Sequence, residues 1–165
     1  MRILGIDPGY GRMGYGVVEK KGSNWVYVAH GCVQTSPKDA FADRLLQLHN
    51  EIRRLILIYK PTSAAVEQLF FAKNAKTAMA VGQARGVILL TLFQAKLSVA
   101  EYTPLQVKQA ITGYGKAEKV QVQKMLTSLF KLPKKSLQDD AADALAVALT
   151  AGISARFERI KRGSV

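Results

Sequence analysis

Cysteine is nearly absent from this chain: Cys32 is the only one in 165 residues. That excludes an internal disulfide framework and a thiolate-based zinc site, and it fits a reducing compartment. Histidine is almost as scarce, with His30 and His49 standing apart from each other, so no imidazole cluster suggests zinc either. No apolar run is long enough to span a bilayer, and the first residues lack the basic-then-apolar pattern of a secretory leader. The expectation is a soluble, cytoplasmic protein with no membrane partner. Internal repeats, low-complexity tracts and linkers are missing too, which predicts a single domain over residues 1–165. Its basic end, "SARFERIKRGSV" from about residue 154, reads either as DNA-binding or as disordered.

The scarcity that shapes everything else is of acids. Twelve Asp and Glu stand against 24 Lys and Arg, a formal charge of +12, in a chain whose 48% hydrophobic content is ample for one packed core. The basicity therefore belongs to a folded surface. A compact cationic domain suits a polyanion, nucleic acid first and an anionic membrane second.

Periodicity orders the chain. Arg2 to Asp7, Met13 to Lys21 and Trp25 to Thr35 read as strands separated by the short turns "DPGYGR" and "KKGSN", close enough for antiparallel partners. From Phe41 the apolar residues recur at helical spacing until Tyr59, and Lys60-Pro61 stops the helix. "TSAAVEQ" reads as a short buried strand ending at Glu67, Ala75 to Lys96 as a long helix and Ser98 to Tyr102 as a last strand. Pro104 to Ile111, Ala117 to Lys131 and Asp139 to Ile153 read as helices. Five strands in this order predict an α/β fold, a mixed sheet flanked by helices.

Against that map, most acids sit on polar helix faces or in loops, but Asp7, Glu67 and Glu101 each end an apolar strand. A buried carboxylate there is costly unless paired or bound to metal. If the strands of Asp7 and Glu67 are neighbours, the two acids meet at one sheet edge, where a shared proton or a cation relieves their repulsion. Further down, in "LQDDAADALAVALTAG", Asp143 lies three residues after Asp140 and four after Asp139, so either pair shares a helix face. Capping the helix accounts for Asp139 or Asp140 but less well for Asp143, set among Ala142, Ala144 and Leu145. Three or four convergent carboxylates would supply hard oxygen ligands for Mg²⁺ or Mn²⁺. Two such ions roughly 4 Å apart can activate water on one side of a phosphodiester and stabilise the leaving oxygen on the other.

Four segments, "GIDPGYGRMGYGVVE", "VEQLFFAKNAKTAMAVGQARGV", "EYTPLQVKQAITGYGKAEKVQV" and "DDAADALAVAL", resemble in order and spacing the RuvC crossover junction endodeoxyribonucleases, the bacterial Holliday junction resolvases. The resemblance runs from about Arg2 to Thr150. It implies a ribonuclease H-like fold, a homodimer that nicks a four-way DNA junction symmetrically, and cooperation with the RuvAB branch-migration complex; the carboxylate chemistry adds the expectation of Mg²⁺, with Mn²⁺ as a substitute, at two ions per subunit. The resemblance also implies Asp7, Glu67, Asp140 and Asp143 as the catalytic, metal-binding carboxylates. Asp140 is thereby selected over Asp139, and Glu101 falls outside the cluster.

Other residues take roles on the same resemblance. Phe70, which on sequence alone reads as core beside Leu69 and Phe71, becomes a base-stacking contact. Lys108 and Lys119 match the family's functional lysines, suited to phosphate or to charge at the scissile group. Lys73, Arg85, Lys116 and Lys124 are expected backbone contacts. Ala78, Gly82 and Gly86 put small residues on one face of the second long helix, suited either to packing on its own sheet or to a two-fold subunit contact. A ribonuclease H acting on hybrids and a non-catalytic junction binder are the competing readings.

Overall fold

The computed structural model describes residues 1–68, 75–133, 137 and 139–162, with the side chains of 75–76 and 155–162 outside that description. Five strands form one mixed sheet: β1 (Arg2–Asp7), β2 (Arg12–Lys21), β3 (Asn24–Gln34), β4 (Ser63–Glu67) and β5 (Ser98–Tyr102). Their spatial order is β3-β2-β1-β4-β5. The short turns make β1, β2 and β3 antiparallel neighbours, whereas β4 joins β1 in parallel after a helical crossover, and β5 joins β4 in the same way. The predicted mixed, helix-flanked α/β sheet is the fold observed.

Strand alternation splits the core into two layers. Leu4, Ile6, Val17, Ala64 and Val66 face one side, where α1 (Phe41–Tyr59) and α2 (Ala75–Gln94) bury Leu48, Ile52, Ala84, Ile88 and Leu92. Ile3, Val18 and Ala65 face the other side, covered by α5 (Asp139–Arg162). Behind α5 lie α3 (Pro104–Thr112) and α4 (Lys119–Phe130), so α5 is enclosed, and Ala141 to Ala148 lose all contact with solvent apart from Asp143. Among the described residues no helix is long and apolar enough to cross a membrane.

Helix ends account for the boundary differences. α1 stops where predicted, because Lys60 turns left-handed (φ 47°) and returns its N–H to the Ile56 carbonyl. α2 ends at Gln94 rather than Lys96, since Lys96 is itself left-handed (φ 58°) and Leu97 closes the end on the Leu92 carbonyl. α4 is shorter than predicted at both ends: Ala117 belongs to a turn closed on Tyr114, and Lys131 is left-handed (φ 52°). α5 passes its predicted end at Ile153 and continues to Arg162, through a stretch with neither Gly nor Pro to stop it.

Candidate active site

β1 and β4 run parallel with Ile6 opposite Val66, so the next residues, Asp7 and Glu67, emerge side by side at the same sheet edge. Both lie on the α5 face. Asp7 follows Ile3 and Gly5 by alternation, and Glu67 pairs in register with Tyr102, which packs on the α5 layer. α5 brings the other two acids because the sheet beneath it has glycines where side chains would stand. A Cβ at Gly14 would fall inside the Asp140 carbonyl, and one at Gly5 inside the Ala144 carbonyl. The first turn of α5 therefore lies against β1 and β2 with Asp140 and Asp143 over the strand ends.

The electrostatics register this convergence. Burial, followed by the charges of Glu67, Asp143 and Asp140, pushes the Asp7 carboxyl up to about 8. Burial, followed by the charge of Asp143, pushes Glu67 up to about 7, against a hydrogen bond from Asp7 and the cations Lys119 and Lys108. Asp143 is raised by burial too, against its bond to Lys119. Lys119, the first residue of α4, places Nζ 2.7 Å from Asp143 Oδ2 and 3.8 Å from Asp139 Oδ2. Burial works against its charge, but these acids outweigh that and raise it above the ordinary lysine value.

The predicted residues separate into groups. Asp7 feels the charges of Glu67, Asp140, Asp143 and Lys119, and Glu67 those of Asp143, Lys119 and Lys108. Asp139 points outward, 70% exposed, and accepts from Gln123 at 2.9 Å. Glu101 stands opposite Val66 on the other face of the sheet and pairs with Arg85 of α2, so an expected phosphate contact is occupied by an acid. Lys116 lies exposed in the turn before α4, and Lys124 exposed on α4. Phe70 and Lys73 lie outside the described residues. Among the described residues nothing approaches within 4 Å of a Cβ built at Gly82 or Gly86, so neither packs on the sheet there. Sequence reasoning passed over Arg12, Cys32 and the strand glycines; Gly14 and Gly16, two apart within a strand, were the available sign of a close backbone approach.

Four carboxylates have the donor chemistry of a site for a hard divalent cation, although among the described residues no three are placed to hold one ion as they stand; burial first, and then the neighbouring acids, raises Asp7 and Glu67. A pH dependence follows. Between their ordinary values near 4 and their folded values of about 7 and 8, these two groups hold more protons in the folded state than in the unfolded one. Metal-free protein should accordingly lose stability as pH rises from 5 to 8, by up to about 1.4 kcal/mol per pH unit for each extra proton held. Urea unfolding with chelator at pH 5, 6.5 and 8 measures this, and a flat profile would contradict the repulsive cluster.

A mixed sheet in this order, with acids gathered at the carboxyl ends of its two central parallel strands, places the chain in the ribonuclease H-like class. Comparison with known proteins narrows the class. The family model described as crossover junction endodeoxyribonuclease RuvC matches residues 3–151. The RuvC of Petrotoga mobilis is 55% identical over 152 residues, covering 92% of this chain and 93% of that protein. The RuvC of Caldicellulosiruptor saccharolyticus is 53% identical over 150 residues, 90% of each. Thermus thermophilus RuvC, solved in complex with Holliday junction substrate, superposes with a TM-score of 0.89 at 36% identity, covering 96% of both chains. The chain belongs to the RuvC family.

Proposed function

We propose that this protein is a divalent-metal-dependent, structure-selective endonuclease that resolves four-way DNA junctions by paired symmetric nicks during recombination and repair. The observation that carries the reading is that Asp7, at the end of β1 in a RuvC-family chain, is raised by burial and by the charges of Glu67, Asp143 and Asp140. Asp7 and Glu67 would hold the ions from the sheet, Asp140 and Asp143 from the helix. Oxygen donors favour Mg²⁺, with Mn²⁺ as a substitute and two ions per subunit. Bound there, the metal supplies an activated water and charge stabilisation at the leaving oxygen. Lys119 and Lys108 place positive charge beside the carboxylates, where a scissile phosphate would add negative charge. Lys116 and Lys124 extend the cationic rim along the turn and the exposed face of α4. Phe70 is assigned to base stacking and Lys73 to phosphate. For Arg85 to reach a phosphate, its pair with Glu101 must open.

A junction offers two equivalent strands, and a two-fold dimer offers two equivalent sites. Support for a dimer comes from α2, where Met79, Gly86, Leu90 and Phe93 form an exposed stripe at heptad spacing, with Gly82 and Ala78 alongside. Leu90→Glu should weaken self-association at least about tenfold in sedimentation equilibrium, since it puts a charge into the contact. An unchanged mass would move the interface elsewhere. Family membership also supports cytoplasmic action together with the RuvAB branch-migration complex.

The test compares a mobile four-way junction, a linear duplex and an RNA–DNA hybrid, with Mg²⁺ and with chelator. Symmetric, metal-dependent cuts in the junction alone are expected. Cleavage of the hybrid would favour a ribonuclease H, and binding without cleavage would favour a non-catalytic junction protein.

A further inference from the structure

Asp140 already has a cationic partner. Arg12 donates through Nε to Asp140 Oδ2 at 2.8 Å, and the Cys32 thiol lies 3.8 Å from the same oxygen. The main chain fixes this approach. Arg12 opens β2 opposite Gln34, its carbonyl packs so closely on Gly9 that a Cβ there would overlap it, and two residues later Gly14 lies against the Asp140 carbonyl. Two of the four acids are thus engaged before any metal arrives: Arg12 takes Asp140 and Lys119 takes Asp143. In that arrangement no group of three or more His, Cys, Asp or Glu side chains is set to hold a metal ion, among the described residues.

We propose that Arg12 is a positioning residue, a resident counter-ion of Asp140 that competes with the divalent metal and sets the metal affinity of the DNA-free enzyme. This rests on the reading of the four carboxylates as a metal site. The exchange is feasible because the pair is exposed: the Arg12 side chain is 52% accessible and that of Asp140 29%. Ion pairs of this kind are weak and reversible. With Asp140 given over to a metal, the guanidinium would be displaced, and it would return to the carboxylate on release.

The experiment is Mn²⁺ titration of the DNA-free protein, following free Mn²⁺ by electron paramagnetic resonance, for wild type, Arg12→Gln, Asp7→Asn and Lys21→Gln. Lys21 ends the same strand at the opposite edge and controls for the loss of one positive charge. Arg12→Gln should bind Mn²⁺ about three- to fivefold more tightly than wild type, with Lys21→Gln unchanged. Equal or weaker binding by Arg12→Gln, or the same gain in Lys21→Gln, would overturn the role of Arg12 while leaving the metal site standing. Mn²⁺ binding that Asp7→Asn does not weaken would overturn the metal site, and the proposal with it. Melting curves in chelator, expected to keep one cooperative transition with Arg12→Gln lowered by only roughly 2–4 °C, the loss of one exposed ion pair, separate this effect from misfolding.

Discussion

Asp7→Asn should abolish junction cleavage while making the metal-free protein more stable at pH 8. The side chain keeps its shape, so the strand edge is undisturbed and junction binding through the basic rim persists. Lost is one anionic donor from a centre whose chemistry consists of charge placement, and the rate should fall by at least about a thousandfold. The stability gain has the same origin. Asp7 is pushed up to about 8 by burial and by Glu67, Asp143 and Asp140, so at pH 8 a substantial fraction is ionised against three other acids. An amide carries no such charge, and a gain of roughly 1–3 kcal/mol is expected. Single-turnover nicking in Mg²⁺ and thermal melts in chelator measure the two halves. Nicking at the wild-type rate would remove Asp7 from the centre, whereas a lowered melting temperature would make it a structural acid. A residue that costs stability in order to bind metal gives opposite signs in the two assays.

Much of this centre was legible in the sequence because it sits where local patterns end. Apolar runs that close on Asp7 and Glu67, and an acid inside an alanine-rich helix at Asp143, conflict with burial and therefore point to a ligand. The same rule misread Glu101. Its strand does end near an acid, but the register sets Glu101 opposite Val66, and in a sheet one residue's difference changes the face. Asp139 and Asp140 could not be told apart by spacing, since three and four residues are both near neighbours on a helix. The rotation of α5 about its axis decides between them, and contacts with strand residues more than a hundred positions away set that rotation. Helix ends at Lys96 and Lys131 were missed because lysine gives no sign of a left-handed turn, whereas the Lys60 end was signalled by Pro61. Arg12 was invisible for the same reason as the rotation of α5: its partner depends on a loop folding back over Gly9.

Those glycine contacts support the second large prediction. Gly14→Ala adds one methyl group, yet that carbon would fall inside the Asp140 carbonyl and crowd the Ala141 nitrogen. Both are backbone atoms of an enclosed helix, so no side chain can rotate aside. α5 must lift from β1 and β2, and the packing of Ala141, Ala144, Leu145 and Ala148 against the sheet goes with it. Overpacking that moves a buried backbone costs about 3 kcal/mol or more. Gly82→Ala provides the contrast: among the described residues nothing lies within 4 Å of the added atom, and replacing a helical glycine should add roughly 0.5–1 kcal/mol. Urea unfolding in chelator should therefore move in opposite directions for the two variants. A Gly14→Ala protein within about 0.5 kcal/mol of wild type would mean that α5 does not rest on β2 as described. The convergence of Asp140 with Asp7 would then lose its structural basis. If instead the variant is destabilised but still folds at low temperature, its cleavage should fall with its stability, because the clash displaces the first turn of α5, the turn that carries Asp140 and leads into Asp143.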